Sequence, residues 1–188
     1  ITEPVADPAC GTGGFLLAAY EHMKTQSKDI KAQKFLKNDA FFGADNTPLV
    51  VTLASMNLYL HDIGTKNSPI VCQDSLTENY DDAMYDVILA NPPFNYHPWN
   101  QEKLLDDVRW KYGIPPAGNA NYAWIQHMIH HLAPNGKIGL VLANGALSAQ
   151  SSGEGEIRKN IINDDLIEGI VAMPTQLFYS VTIPVSLW

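Results

Sequence analysis

Short apolar runs bounded by turn residues alternate along this chain with longer segments whose apolar positions recur at helical spacing. The runs over 4–7, 40–44, 69–73, 85–90, 137–142, 166–172 and 182–188 read as seven strands. Helices are expected over 14–26, 122–132 and 156–163, and a further one opens at Asn46-Thr47-Pro48, with a capping side chain before a proline in the first turn. That helix carries Leu49, Val50, Leu53, Ala54, Met56, Asn57 and Leu60 at helical spacing, and Gly64 lies just past its end. The polar stretch 27–38 reads as a linking loop or a frayed helix end. The segment 95–119, rich in Pro, Trp, Tyr and Gly, is expected to be irregular, as functional loops often are. Strand and helix alternate almost throughout, which predicts an α/β fold with a doubly wound, mostly parallel sheet.

At 188 residues, with 46% hydrophobic and 17% charged positions, the chain suits one domain with a sizeable core, here taken as 1–188. It opens almost inside the first strand and stops inside the last, and so reads as the core of something larger. No apolar run approaches the roughly 20 residues that span a bilayer. The start Ile1-Thr2-Glu3-Pro4 lacks a basic region and an apolar core, so no signal peptide is expected. Two cysteines, Cys10 and Cys72, make neither a disulfide framework nor a zinc quartet, and a reducing cytoplasm is the expected home. The net charge of −8 argues against a free-standing, non-specific nucleic-acid binder.

Candidate chemistry gathers where strands end. Asn91-Pro92-Pro93-Phe94 directly follows the run Tyr85–Ala90, and in open α/β sheets ligands sit at that edge. Two prolines fix φ and remove two backbone donors, leaving bare carbonyls beside an amide and an aromatic face. Such a turn can grip a planar group that carries an amine. Asp7-Pro8-Ala9-Cys10-Gly11-Thr12-Gly13-Gly14-Phe15 joins the first strand to the first helix, where glycines admit a ligand closely and a helix start favours an anion. Its spacing is neither a nicotinamide fingerprint nor a phosphate-binding loop, and taken alone it could be a tight turn. Asp45 and Asp74 end the second and third strands, each able to act as a helix cap or to accept ligand hydroxyls. Together Asp7, Asp45, Asp74 and Asn91 end four successive strands. That joint placement favours a ligand site over four unrelated caps, one suited to a cationic, ribose-bearing cofactor.

Other residues read more plainly. His127, His130 and His131 complement a helix end or are solvated, and no Cys or carboxylate spacing supports a metal. Trp99, Trp110 and Trp124 read as packing residues, with Trp99 and Tyr96 alternatively lining a cleft. Cys10 has no histidine partner in sequence for a nucleophilic role.

The glycine motif followed by Asn91-Pro92-Pro93-Phe94 resembles the amino-group DNA methyltransferases that use S-adenosylmethionine. More narrowly it is similar to the modification subunits of type I restriction–modification systems, which are N6-adenine methyltransferases. The stretches Ala54–Ile63, Gly136–Gly145 and Leu177–Pro184 are similar to that subgroup as well, so the resemblance covers nearly the whole chain. It implies a seven-stranded, Rossmann-like methyltransferase sheet. It further implies that Asp7 and the turn Gly11, Thr12, Gly13 and Gly14 hold the methionine part of the cofactor and Asp45 the ribose. Asp74 and Ser75 would lie at the adenine ring. Asn91 and the Pro92 carbonyl would accept the hydrogens of the target amine, Phe94 would stack on the base, and Phe178 would offer a second aromatic wall. Two departures stand out: Asp45 occupies a position where the subgroup more often has Glu, and the family's cofactor-binding segment upstream of the glycine motif is not in this sequence. The implied partners are double-stranded DNA and the specificity and restriction subunits of the same system. A specificity subunit that reads DNA would also account for the acidic balance. Competing readings are methylation of a protein glutamine, whose planar amide suits the same turn, and a non-catalytic scaffold that binds cofactor and partner subunits.

Overall fold

The computed structural model describes residues 3–26, 29–78, 83–178 and 182–188. Its elements run β1 (Val5–Asp7), α1 (Gly14–Gln26), α2 (Ile30–Asn38), β2 (Phe41–Asp45), α3 (Pro48–Leu60), β3 (Ile70–Cys72) and β4 (Tyr85–Ala90). There follow α4 (Asn121–His130), β5 (Leu132–Ala143), α5 (Gly145–Ser148), α6 (Glu154–Asn163), β6 (Val171–Ala172) and β7 (Val185–Leu187). Among the described residues seven strands form a sheet in the order β3-β2-β1-β4-β5-β7-β6. The chain divides into two compact units, one of residues 1–90 and 131–138, the other of 91–130 and 139–188.

In the first unit β1 pairs in parallel with both β2 and β4, and β2 with β3. Parallel strands need crossovers, and the amphipathic helices supply them. Leu16, Tyr20 and Met23 of α1 and Leu36 of α2 are buried together with Val5, Phe41, Leu58 and Ile70 in one core. Burying such side chains at about 1.5–3 kcal/mol each is the principal stabilisation of the unit. The registers pair Asp45 with Cys72, so β2 and β3 end level, and Asp7 with Gly43, so β1 ends two residues short of them on the same edge.

Two expectations need correction here. The stretch assigned to a loop or frayed end contains the helix α2, whose polar surface hides an amphipathic pattern; Asp29 caps it by accepting from the Ala32 amide at 2.8 Å. Ser27 and Lys28 lie outside the described residues. The expected capping side chain of α3 makes no cap bond, and instead the Asp45 carboxylate accepts from the Thr47 amide at 2.9 Å. The helix α3 is buried along one side only. Ala54 and Leu58 are inside, whereas Leu49, Met56 and Leu60 are 69%, 57% and 77% exposed, because one side of the helix meets β2 and β3 and its apolar positions extend beyond that side.

In the second unit β7 runs antiparallel to both β5 and β6, through Val141↔Leu187 and Val171↔Leu187. The expected sixth strand shrinks to two exposed residues, since 166–170 make no ladder. Segment 95–119 is irregular apart from one 3-10 turn at Gln101–Lys103. It is nonetheless well packed: Trp99 and Trp110 meet edge to face at 5.8 Å, and their ring N–H groups donate to the carbonyls of Pro116 and Leu104. Buried Arg109 spans Asp107 through two side-chain bonds and lies beside His127 Nδ1 at 3.0 Å. No described helix is long and apolar enough to cross a membrane.

Candidate active site

In the first unit the three carboxylates lie where their strands end. Asp7 is the last residue of β1 and is 1% exposed, with the Ala9 amide donating to its Oδ1 at 3.0 Å. Burial pushes its carboxyl up to about 7; the Ala9 bond opposes this, and the negative charge of Asp45 adds to it. Asp45, half-buried, closes β2. Asp74 stands two residues beyond β3, half-buried, and accepts from the Leu76 amide at 3.0 Å. All three carboxylates thus bond a nearby backbone amide, as local caps do. The burial of Asp7 is what a cap does not require.

The glycine turn between β1 and α1 is held from three sides. The Cys10 amide donates to the Ala44 carbonyl of β2 at 2.9 Å. Ser75, 2% exposed, donates its hydroxyl hydrogen to the Pro8 carbonyl. Asn57 of α3 donates from Nδ2 to the Thr12 carbonyl at 3.0 Å. Gly11 and Gly13 take φ of +52° and +83°, which a side chain disfavours, and the first intrahelical bond of α1 is Leu17 N to Gly13 O at 3.0 Å. The amides of Gly14, Phe15 and Leu16 therefore precede the helical ladder and lie at its positive end. Ser75, expected at a ligand ring, braces the turn through its hydroxyl. The helical spacing that places Asn57 on α3 says nothing about a carbonyl 45 residues away. Burial and the charges of Asp7 and Asp45 push the Cys10 thiol up to about 12, which suits a packing role rather than a nucleophile.

In the second unit Asn91 follows Ala90, the end of β4, without a break. Asn91 is exposed, Pro92 buried and Phe94 half-buried. The Phe94 and Phe178 rings come together, centroids 6.0 Å apart and planes tilted by 53°. Residues 179–181 of the terminal motif lie outside the described residues. Of the three histidines, His130 is exposed as expected, whereas His127 and His131 are buried, the latter beside the Ala83 carbonyl at 2.9 Å within the first unit. Trp99 is 1% exposed and belongs to the packing rather than to a cleft wall. Among the described residues no three His, Cys, Asp or Glu side chains gather as a metal site would require.

The strand order, with β7 antiparallel between β5 and β6, is that of the fold class of the S-adenosylmethionine-dependent methyltransferases. A Listeria monocytogenes protein assigned to class I of these enzymes superposes with a TM-score of 0.69 at 20% identity, covering 98% of this chain and 52% of that one, a likeness of fold. Residues 2–188 match the N-6 DNA Methylase family, and the chain belongs to it. It is 46% identical over 189 residues to the type I restriction enzyme HindI methylase subunit of Haemophilus influenzae, covering 98% of this chain and 40% of that protein. The methyltransferase subunit of a type I restriction–modification system from Streptococcus thermophilus superposes with a TM-score of 0.84 at 25% identity, covering 99% of this chain and 39% of that one. The chain thus spans about two fifths of the length of these relatives.

Proposed function

We propose that residues 1–188 form the catalytic domain of a cytoplasmic, site-specific DNA adenine methyltransferase. In this reading it transfers a methyl group from S-adenosylmethionine to the exocyclic amine of a flipped adenine, as part of a restriction–modification system. The observation that carries the reading is the intact Asn91-Pro92-Pro93-Phe94 turn on the end of β4, in a chain whose family match runs from residue 2 to 188. Free thiols at Cys10 and Cys72 suit a reducing compartment.

The first unit fits a cationic, ribosyl cofactor. Asp7 is buried and shares its surroundings with the charge of Asp45, so a cation beside it relieves a carboxylate that otherwise holds its proton. Asp7 and the Gly11–Gly14 turn would hold the methionine part, Asp45 the ribose, and Asp74 with Ser75 the adenine end. When bound, S-adenosylmethionine supplies a methyl group activated by its sulfonium.

The rest is done by this chain's residues. An aromatic amine is a weak nucleophile because its lone pair is delocalised into the ring. The Asn91 side-chain oxygen and the Pro92 carbonyl accept the two amine hydrogens, which favours a pyramidal nitrogen and stabilises the positive charge that develops there. No tuned general base is required, and the proton leaves later to water. Phe94 stacks on the flipped base, and about 1–3 kcal/mol of stacking offsets part of the few kcal/mol that flipping costs. Double-stranded DNA would be presented by a specificity subunit, in keeping with a net charge of −8 on this chain, and a restriction subunit would complete the assembly.

The full-length parent, assayed with labelled methyl donor on DNA and on protein with and without its partner subunits, tests the reading. Asn91→Ala should abolish transfer to adenine while cofactor affinity changes little. Wild-type turnover by that variant would sink the mechanism, and label found in protein glutamine instead of DNA would sink the substrate.

A further inference from the structure

The residue immediately after Phe94 is held in an unusual way. Asn95 adopts φ of 53°, in the left-handed region where an ordinary side chain is strained. Its amide donates to Oδ1 of Asn121 at 3.3 Å, and Asn121 returns the bond, Nδ2 donating to Oδ1 of Asn95 at 3.2 Å. Asn119 donates from Nδ2 to the same Asn95 oxygen at 3.2 Å, and its own Oδ1 accepts from the Asn121 amide at 2.9 Å. One residue on, the Ala120 amide donates to the Tyr96 carbonyl at 3.1 Å.

Asn121 is the first residue of α4 and is 1% exposed. A backbone N–H can only donate, so the Asn121 oxygen must face Asn95 N and its NH2 must face Asn95 Oδ1. A buried amide with both ends engaged cannot rotate without stranding a polar group, which costs about 1–3 kcal/mol. The helix start therefore clamps the chain at the residue that sets the exit direction of Phe94.

We propose that Asn121 is a positioning residue: through its paired bonds to Asn95 it fixes the Asn91–Phe94 turn, and with it the plane of the Phe94 ring. The proposal rests on the function proposed above for that turn. It also predicts an asymmetry. Asn95 uses its side chain only as an acceptor, so Asn95→Asp keeps the clamp. Asn121 both accepts and donates, so Asn121→Asp opposes carboxylate to amide oxygen and breaks it.

The test uses the full-length parent with its partner subunits, a duplex carrying 2-aminopurine at the target position, and 4-fluorophenylalanine at position 94. Asn121→Ala should lower kcat roughly tenfold to a hundredfold, leave the KM for S-adenosylmethionine within about twofold, and cut the 2-aminopurine signal by more than half. Its 19F line from position 94 should shift or broaden without DNA present. Asn121→Asp should follow Asn121→Ala, and Asn95→Asp should stay near wild type in the 19F spectrum. An unchanged 19F line and unchanged kcat in a folded Asn121 variant overturn the proposal, as does loss of the fold in both Asn121 variants. The 19F reading needs no turnover, and Asn91→Ala is run alongside. A parent without DNA methylation, or an active Asn91→Ala, therefore marks failure of the functional reading rather than of the clamp.

Discussion

Phe94 and Phe178 face each other with ring centroids 6.0 Å apart at a tilt of 53°, in contact with one another. A base stacked between two rings would hold them closer to parallel and farther apart than two rings in direct contact. If a flipped base enters between them, as proposed, the rings must realign, and the proposed clamp on Asn95 assigns that movement to Phe178 rather than Phe94. Phe94→Ala should weaken binding of a 2-aminopurine duplex by about 1–3 kcal/mol, and Phe178→Ala by less. Equal losses from the two variants would count against this division, and fluorescence titration reads both.

Asp7 makes stability and binding pull in opposite directions. Its value of about 7 in the fold lies above the ordinary 3.8, so the native chain binds the proton more tightly than the unfolded one. The resulting stabilisation is complete below pH about 4 and is lost as pH rises through about 7, on the order of 4 kcal/mol in full. Without ligand, Asp7→Asn should gain on wild type between pH 4.5 and 8, by several degrees in Tm at the upper end, as calorimetry would record. S-adenosylmethionine binding to the wild-type parent should strengthen as pH rises through about 7, and Asp7→Asn should lose that dependence.

Gly43 in β2 has no room for a methyl group. A Cβ there would meet Ile70 Cδ1 at 2.6 Å, Leu16 Cδ1 at 2.9 Å and Cys10 Cβ at 3.2 Å. The first two are ends of side chains and can turn; Cys10 sits in the glycine turn, where Cβ movement carries the backbone with it. Gly43→Ala should cost about 1–3 kcal/mol in urea unfolding and weaken cofactor binding as well.

Asn57 separates positioning from stability. It is half-buried, and its hydrogen bond to the Thr12 carbonyl braces the turn from α3. Asn57→Ala should change unfolding free energy by under about 1 kcal/mol and raise the Kd for S-adenosylmethionine several-fold. Calorimetric titration of the parent measures the second effect directly.

Most element positions were legible because period alone specifies them: α1 and β4 fall at their expected bounds, and β1, β2 and β3 within two residues. The helix α2 was not legible, since its buried face consists only of Ala32 and Leu36 among lysines and its cap, Asp29, falls inside a polar run. The strand-end carboxylates and the Asn-Pro-Pro-Phe turn were legible because each borders an apolar run in sequence. Ser75, Asn57 and Asn121 carried no such signal, as each works on a carbonyl or amide supplied by a distant segment.

By itself the amino-acid order determined the alternation of strands and helices and which residues end the strands. It also determined that Pro92 and Pro93 fix φ and carry no backbone N–H, because periodicity, proline geometry and adjacency are local properties. Tertiary structure alone decided the burial that raises Asp7 and the three-sided grip on the glycine turn. It also decided the meeting of Phe94 with Phe178 and the clamp of Asn121 on Asn95. Those depend on distances between segments remote in sequence, and only packing sets such distances. The Asn91–Phe94 turn is written in four consecutive residues, but the direction in which it points is held by residues some 25 positions further along the chain.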